Sequence, residues 1–215
     1  ELLKLGFVVS ETTVAKYMPR REKPPSATWR AFLMNHRLVA CDFFTVPTLT
    51  FGVLYVFVVI RHCDRYLLRV GVTTNPSVTW TAQQMRETFP FDEAPRYLLC
   101  DNDLTYGKEF MDCIKSMGIK EIRIAWRSPW QNPYVERVIG PIRRECLDHI
   151  IPVSAHHLRR VLRDYTRYYN RSRTHLGLEK DSPEPRPVEL PERGARIVAI
   201  PQVGGLHHRY TRRAA

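Results

Sequence analysis

Three acidic residues stand at positions where the surrounding sequence is apolar. Asp42 lies inside the run 38–44, Asp101 ends the run 97–100, and Glu136 lies at the margin of the apolar stripe of a predicted helix. An ionised carboxylate in such surroundings is unfavourable unless it is paired, hydrogen-bonded or bound to metal. Taken singly, each has an ordinary explanation, because an aspartate often caps a turn and a glutamate favours a helix N-terminus. Together, the three predict a shared site.

The chemistry of that site follows from its oxygen ligands. Carboxylates prefer Mg²⁺ or Mn²⁺ to zinc or copper. Two such ions can activate a water or a 3′-hydroxyl and stabilise the leaving oxygen in phosphoryl transfer. Without cations the carboxylates would repel one another, so metal binding and site assembly are coupled. We therefore predict that Asp42, Asp101 and Glu136 hold divalent metal, as two ions.

The elements that position these residues alternate between strand and helix patterns. Three successive antiparallel strands are predicted, followed by helices and strands in turn. The strands are 38–44, 53–60, 66–72, 97–100 and 119–125, and the helices are 78–89, 110–117, 133–147 and 158–169. Asn132 is suited to cap the third helix and Pro133 to begin it. This order predicts an α/β fold with a mixed sheet covered by helices.

The chain divides into three predicted parts. Residues 1–30 hold a helix that Ser10 would cap and a basic linker, which fits either a partial helix-turn-helix remnant or a surface helix of a truncated chain. Residues 36–175 form the α/β core. Residues 176–215 contain a proline-rich connector and a small basic hairpin around Gly204 and Gly205.

The charge balance points to a polyanionic partner. Thirty-three Lys and Arg outnumber 22 Asp and Glu, which gives a net charge of +11. Arg137, Arg143 and Arg144 are candidates for contact with a nucleic-acid backbone, although solvated helix faces also carry such charges. Five scattered cysteines without a C-x-x-C pair favour a reducing cytosol. The apolar run 53–60 is too short to span a membrane, and no signal peptide is evident.

Three segments around the acidic residues resemble the catalytic blocks of the retroviral-integrase core family, and most closely those of bacterial insertion-sequence transposases. They are ACDFFTVP (40–47), YLLCDND (97–103) and SPWQNPYVER (128–137). Thirty-four residues separate Asp101 from Glu136, a spacing usual in the family. Further matches are RRECLDH (143–149), YYNRSRTHL (168–176) and GGLHH (204–208). The resemblance covers about residues 36–190.

The resemblance implies a ribonuclease-H-like fold and a DDE-type transposase that cleaves and transfers DNA strands with Mg²⁺ or Mn²⁺. Its catalytic and metal-binding residues would be Asp42, Asp101 and Glu136, with Glu145 outside the site and Asp103 in a supporting role only. The implied partners are double-stranded DNA, as element ends and target, and further copies of the chain. The implied location is the bacterial cytoplasm, at the nucleoid.

Two alternatives stay open. One is a catalytically decayed relic that binds DNA, and the other is a ribonuclease-H-like nuclease acting on RNA–DNA hybrids. The family commonly has glycine at the positions of Pro133 and Leu104, and these departures put activity in doubt. The His/Cys zinc domain of retroviral members has no matching spacing in this sequence.

Overall fold

The computed structural model describes residues 13, 38–90, 94–101, 103–124, 133–190 and 195–214. The predicted N-terminal helix, apart from Thr13, lies outside the described residues, and so does Asn132 with the loop that precedes Pro133.

Five strands form one mixed sheet. They are β1 (Leu38–Pro47), β2 (Val53–Arg61), β3 (Leu67–Thr73), β4 (Tyr97–Cys100) and β5 (Lys120–Arg123). Their order across the sheet is β3-β2-β1-β4-β5. The pairs β1–β2 and β2–β3 are antiparallel, whereas β1–β4 and β4–β5 are parallel. The central position of β1 explains its apolar sequence, since a strand covered on both faces has little contact with water.

Helices cover both faces of this sheet. They are α1 (Val78–Thr88), α2 (Lys108–Ser116), α3 (Pro133–Glu145) and α4 (Ala155–Arg171). One core packs α1 and α2 against residues such as Cys41 and Phe57, and the other packs α3 and α4 against residues such as Ala40 and Val58. Successive side chains of β1 therefore alternate between the two cores, as the two-residue period of a strand requires.

A separate two-stranded hairpin lies near the C-terminus, with β6 (Arg196–Gln202) antiparallel to β7 (His207–Arg213). It contacts α4 through His207, whose ring stacks on Tyr168 at 4.3 Å between ring centroids and an interplanar angle of 6°. None of the described helices is long and apolar enough to cross a membrane.

The α/β fold class predicted from the sequence is confirmed, including the three antiparallel strands and the elements that follow. Some bounds differ. Helix α4 begins at Ala155 rather than 158, because the Ser154 side chain caps it by accepting from the His157 N–H. Strand β1 extends to Pro47, since its pairing with β2 continues to Val53. The division into three parts at residues 30, 36 and 175 stays a prediction.

A side chain of α4 completes the edge of the sheet. The Asn170 carboxamide oxygen accepts from the Leu67 N–H at 2.9 Å, and its Nδ2 donates to the Leu67 carbonyl at 3.0 Å. Asn170 is buried, with 4% of its surface exposed. The amide thus pairs with the main-chain N–H and carbonyl of the first residue of β3, as a neighbouring strand would. These hydrogen bonds attach α4 to the edge of the sheet.

We expect Asn170→Ala to lower the free energy of unfolding by about 2–4 kcal/mol, because two buried main-chain groups would lose their partners. Urea unfolding followed by circular dichroism measures the change. The matched control is Asn75→Ala, at an exposed position whose hydrogen bonds to Thr73 and Ser77 use its main chain. Equal, small losses in both variants would show that the Asn170 bonds do not stabilise the fold.

Candidate active site

The first two candidate acids belong to adjacent parallel strands, Asp42 within β1 and Asp101 directly after β4. Strand β1 pairs with β4 so that Ala40 lies beside Leu99. Asp42 and Asp101 each lie two residues beyond this last pair, and the charge of Asp101 acts on Asp42. Ala40 and Leu99 both belong to the core beneath α3 and α4. By the alternation of strand side chains, both aspartates are directed to that same face.

Asp42 has the most perturbed carboxyl group of the site. Its pKa is raised from an ordinary value of 3.8 to about 7, first by burial and then by the negative charges of Asp101, Glu136 and Asp103. One hydrogen bond opposes this, because the Phe43 N–H donates to Asp42 Oδ1 at 2.7 Å and lowers the pKa. The structure thus places a partly buried carboxyl group within electrostatic range of three other acids.

Asp101 is held in a turn at the end of β4. Its Oδ1 accepts from the Asp103 N–H at 3.0 Å, and the Asp103 carboxylate in turn accepts from the Thr105 N–H at 2.8 Å. Burial raises the pKa of Asp101, the Asp103 N–H lowers it, the Asp103 charge raises it and the Arg123 charge lowers it. The turn-capping role that the sequence suggested for Asp101 is therefore real. It leaves one carboxylate oxygen outside the turn.

Glu136 lies in the first turn of α3 and is exposed. Partial burial raises its pKa, and its charge in turn raises the pKa of Asp42. It is therefore the third member of the same electrostatic group, contributed by the helix that packs across β1. The structure brings all three predicted acids into one region of the molecule.

The carboxylate oxygens of these three acids suit a divalent cation, but the three side chains are not placed to share one ion. Among the residues that the structure describes, no three His, Cys, Asp or Glu side chains are placed to hold one metal ion together. The pKa of each of the three acids is raised, first by burial. Carboxyl groups behave in this way when no cation compensates their negative charge. The oxygen donors fit magnesium or manganese.

The three candidate arginines share α3 with Glu136, and all are exposed. Arg143 leans back onto β1, with its guanidinium 5.2 Å from the centre of the Phe44 ring and one N–H directed at the Thr45 carbonyl at 3.4 Å. Arg137 and Arg144 extend along the same helix. They form a basic surface beside the acids, and their contact with DNA stays a prediction.

Sequence reasoning missed Tyr106. Its ring is fully buried, and its pKa is raised first by burial and then by the charges of Cys41, Asp42 and Asp101. It packs against Phe43 and Phe110, with ring centroids 6.1 and 5.0 Å away. Tyr106 therefore lies beneath the two aspartates and supports their strands. The only signal for it in the sequence is an aromatic residue five positions after Asp101, which is too common a pattern to single out.

Glu145, which the sequence placed outside the site, is engaged elsewhere. Arg173 donates to both of its oxygens, at 2.8 and 2.6 Å, and the Tyr165 hydroxyl donates to it at 2.9 Å. The carboxylate is thus fully used in joining α3 to α4.

Parts of this chain are similar in sequence to known proteins. Residues 117–183 match the family described as integrase core domain, a stretch that contains Glu136 and the three arginines but neither Asp42 nor Asp101. A curated relative, the "Insertion element IS476 uncharacterized 39.2 kDa protein" of Xanthomonas euvesicatoria, is 28% identical over 118 residues. That stretch is 54% of this chain and 34% of the relative, so the match spans about a third of the relative's length.

Solved structures show the same fold. The integrase catalytic core of HTLV-2, solved in complex with magnesium, has a TM-score of 0.54 at 13% identity and covers 70% of this chain and 95% of its own. A chain from the intasome of simian T-cell lymphotropic virus has a TM-score of 0.59 at 14% identity, covering 89% of this chain and 72% of its own. The mixed five-stranded sheet flanked by helices is therefore the ribonuclease-H-like fold of integrase cores. The chain therefore has the fold of integrase cores, and over residues 117–183 its sequence is similar to the integrase core domain family.

Proposed function

We propose that the protein is a DDE-type transposase that cleaves and transfers DNA strands with Mg²⁺ or Mn²⁺, held as two ions by Asp42, Asp101 and Glu136. The observation that carries the proposal is the Asp42 carboxyl group. It lies in the central strand, level with Asp101, and its pKa is raised to about 7 by burial and by the charges of neighbouring acids including Glu136. A fold gains no stability from such a group, so a function for it is the better explanation.

The role of the protein side chains in this reaction is to hold the carboxylate oxygens of the three acids in position. The β1–β4 pairing fixes the spacing of Asp42 and Asp101, and the Asp103 N–H orients one oxygen of Asp101. Helix α3 carries Glu136 in its first turn, from which its carboxylate would complete the set with the two aspartates. Bound divalent cations supply the activation of the attacking oxygen and the neutralisation of charge on the leaving one.

The proposed partners follow from the exposed arginines of α3. We propose that Arg137, Arg143 and Arg144 contact the phosphate backbone of double-stranded DNA and orient it without reading its sequence. Both element ends and a target must be held together for strand transfer, so we propose that the protein works as a homo-oligomer. Its place would be the nucleoid of a bacterial cytoplasm.

A decayed DNA-binding relic is the second candidate. The observation that favours it is the open ligand set, in which no three described side chains are placed to hold a metal ion. Pro133 begins α3, in the same first turn that carries Glu136. A proline there fixes the backbone angle φ and limits how the start of the helix can move. In a relic, this restriction would keep Glu136 away from the aspartates.

Strand transfer on labelled DNA carrying the ends of the element tests the proposal, with Mn²⁺, Mg²⁺ or a chelator in parallel reactions. We expect joined product with either metal and none with the chelator. DNA binding without product under every condition would establish the relic. Cleavage of an RNA–DNA hybrid in preference to duplex DNA would instead establish the ribonuclease-H-like nuclease.

A further inference from the structure

A polar cavity lies where the C-terminal hairpin packs against the end of α4. Its volume is about 410 Å³, enough for a phosphate group with several waters, each of which takes about 30 Å³. Its wall is mostly polar and includes three arginines and two hydroxyl residues, namely Arg173, Arg186, Arg209, Ser172 and Thr174. We refer to it as the hairpin pocket. Of the described residues that line it, Glu145 is the one acid.

The acid of the hairpin pocket is already neutralised. Arg173 donates to both carboxylate oxygens of Glu145, and the Tyr165 hydroxyl donates to one of them. Arg173 is committed in turn, because it uses Nε and Nη2 on this carboxylate. Neither member of the pair is therefore available to a ligand. The remaining charge of the pocket is that of Arg186 and Arg209.

Arg209 faces the core from strand β7. His207 lies two residues before it and therefore on the same face of the strand, where its ring stacks on Tyr168. Arg209 is half-buried, and its Nε–H is buried and makes no hydrogen bond with a described residue. None of the ion pairs within the described part of the chain includes its guanidinium. Buried donors are nearly always paired in folded proteins, so this N–H lacks an acceptor that a ligand could supply.

Arg186 brings a second half-buried guanidinium to the same cavity, from the segment that follows α4. It too forms no ion pair with an acid that the structure describes. Both arginines act on Glu189 only through their charges. The pKa of Glu189 is lowered first by the Arg212 N–H, then by the Thr211 hydroxyl, and also by the charges of Arg186 and Arg209. Because Glu189 is exposed and does not line the cavity, solvent screens it and the pocket retains an excess of positive charge.

We propose that the hairpin pocket binds a phosphate-type oxyanion, either a phosphodiester of bound DNA or free inorganic phosphate. Guanidinium groups present paired N–H donors that match two phosphate oxygens, and the anion would supply the acceptor that Arg209 Nε lacks. The hydroxyls of Ser172 and Thr174 in the same wall can donate as well. The anion would join β7 to the segment that carries Arg186 and so hold the hairpin on the core. Binding of a DNA phosphate rests on the function proposed above, whereas binding of free phosphate does not.

Calorimetric titration with inorganic phosphate, at an ionic strength held constant with chloride, tests the free anion as the ligand. We expect Arg209→Gln to weaken phosphate binding at least about tenfold, because it removes a charge and an unpaired donor together. Arg186→Gln leaves the sequence of the hairpin intact and should weaken binding severalfold. The matched control is Arg196→Gln, which removes the same charge from an exposed position of β6 outside the pocket and should leave phosphate affinity unchanged.

The salt dependence of duplex DNA affinity tests the DNA backbone as the source. If a DNA phosphate occupies the pocket, Arg209→Gln should reduce the slope of log affinity against log salt by about one, and inorganic phosphate should compete with DNA. Phosphate binding that depends on Arg209 and Arg186, with no change in the DNA slope, would identify a free oxyanion as the ligand. The proposal is overturned if neither phosphate nor DNA binding depends on Arg209, or if Arg196→Gln weakens both as much as Arg209→Gln does. Absence of strand transfer alone would contradict the proposed function and leave the pocket's ligand unaffected.

Discussion

Asp42→Asn is expected to abolish strand transfer while making the metal-free protein more stable. In the proposed site, an amide would not supply the negative charge that the cations require, so we expect a loss of at least about a thousandfold in rate. The same change removes a partly buried carboxyl group that faces the charges of Asp101 and Glu136. We expect a gain in unfolding free energy of about 2 kcal/mol at pH 8, less than the full pKa shift implies because the side chain is partly exposed.

The sign of the pH dependence follows from the direction of the shift. The pKa of Asp42 in the folded state is about 7, above its ordinary value of 3.8. The folded protein therefore retains a proton that the unfolded chain releases, and its stability falls as pH rises between these two values. Above about 7 this loss is complete. In Asp42→Asn, this fall should be absent and the profile correspondingly flatter.

Urea unfolding at pH 5 and pH 8 without metal, together with the strand-transfer assay, measures both effects. The control is Asp112→Asn, the same chemical change at an exposed position of α2, which should leave activity intact and stability within about 0.5 kcal/mol. If Asp42→Asn is less stable than the wild type at pH 8, the Asp42 carboxylate stabilises the fold, and the proposed explanation of its position is wrong. Full activity in that variant would remove Asp42 from the metal site.

The placing of the candidate acids was largely predictable because its signals are local. An aspartate inside the apolar run of β1 contradicts the pattern around it, and that contradiction is visible in the sequence alone. The strands and helices followed from periodicity and turn residues in the same way. The meeting of Asp42 with Asp101 required only that their strands be parallel neighbours, which is the outcome observed.

Contacts that depend on the tertiary arrangement could not be predicted. Asn170 pairs with the backbone of Leu67 across 103 positions, and nothing in either segment specifies the other. The cavity lined by Arg65, Arg137 and His175 likewise unites the turn after β2 with α3 and the chain beyond α4. Such pairings depend on how α4 packs on the sheet. The apolar stripe of α4 predicts which face of the helix is buried, but it does not predict which strand residue the polar end of the helix will contact.

The last of these long-range contacts carries a large expected effect. Arg173→Met is expected to lower the free energy of unfolding by about 2–4 kcal/mol, because Glu145 would remain partly buried without its counterion. The side chains of Arg173 and Glu145 are 21% and 24% exposed, and two hydrogen bonds join them. The Tyr165 hydroxyl alone would then support the carboxylate.

The pH dependence has the opposite sign to that of Asp42. Burial tends to raise the pKa of Glu145, but the hydrogen bonds and charge of Arg173 lower it below its ordinary value of 4.5. The stabilisation is therefore complete above pH 4.5 and is lost as pH falls through the folded-state pKa. Urea unfolding of Arg173→Met and the wild type should give the largest difference near neutral pH and converging values in acid.

Arg167→Met is the matched control, because its guanidinium lies 3.8 Å from Asp164 in an ion pair whose side chains are 60% and 47% exposed. Such surface pairs contribute at most about 1 kcal/mol. A double variant, Glu145→Gln with Arg173→Met, should recover part of the lost stability, since no unpaired charge remains buried. If Arg173→Met costs no more than Arg167→Met, the pair does not join α3 to α4. Apolar packing between the helices must then hold that side of the sheet by itself.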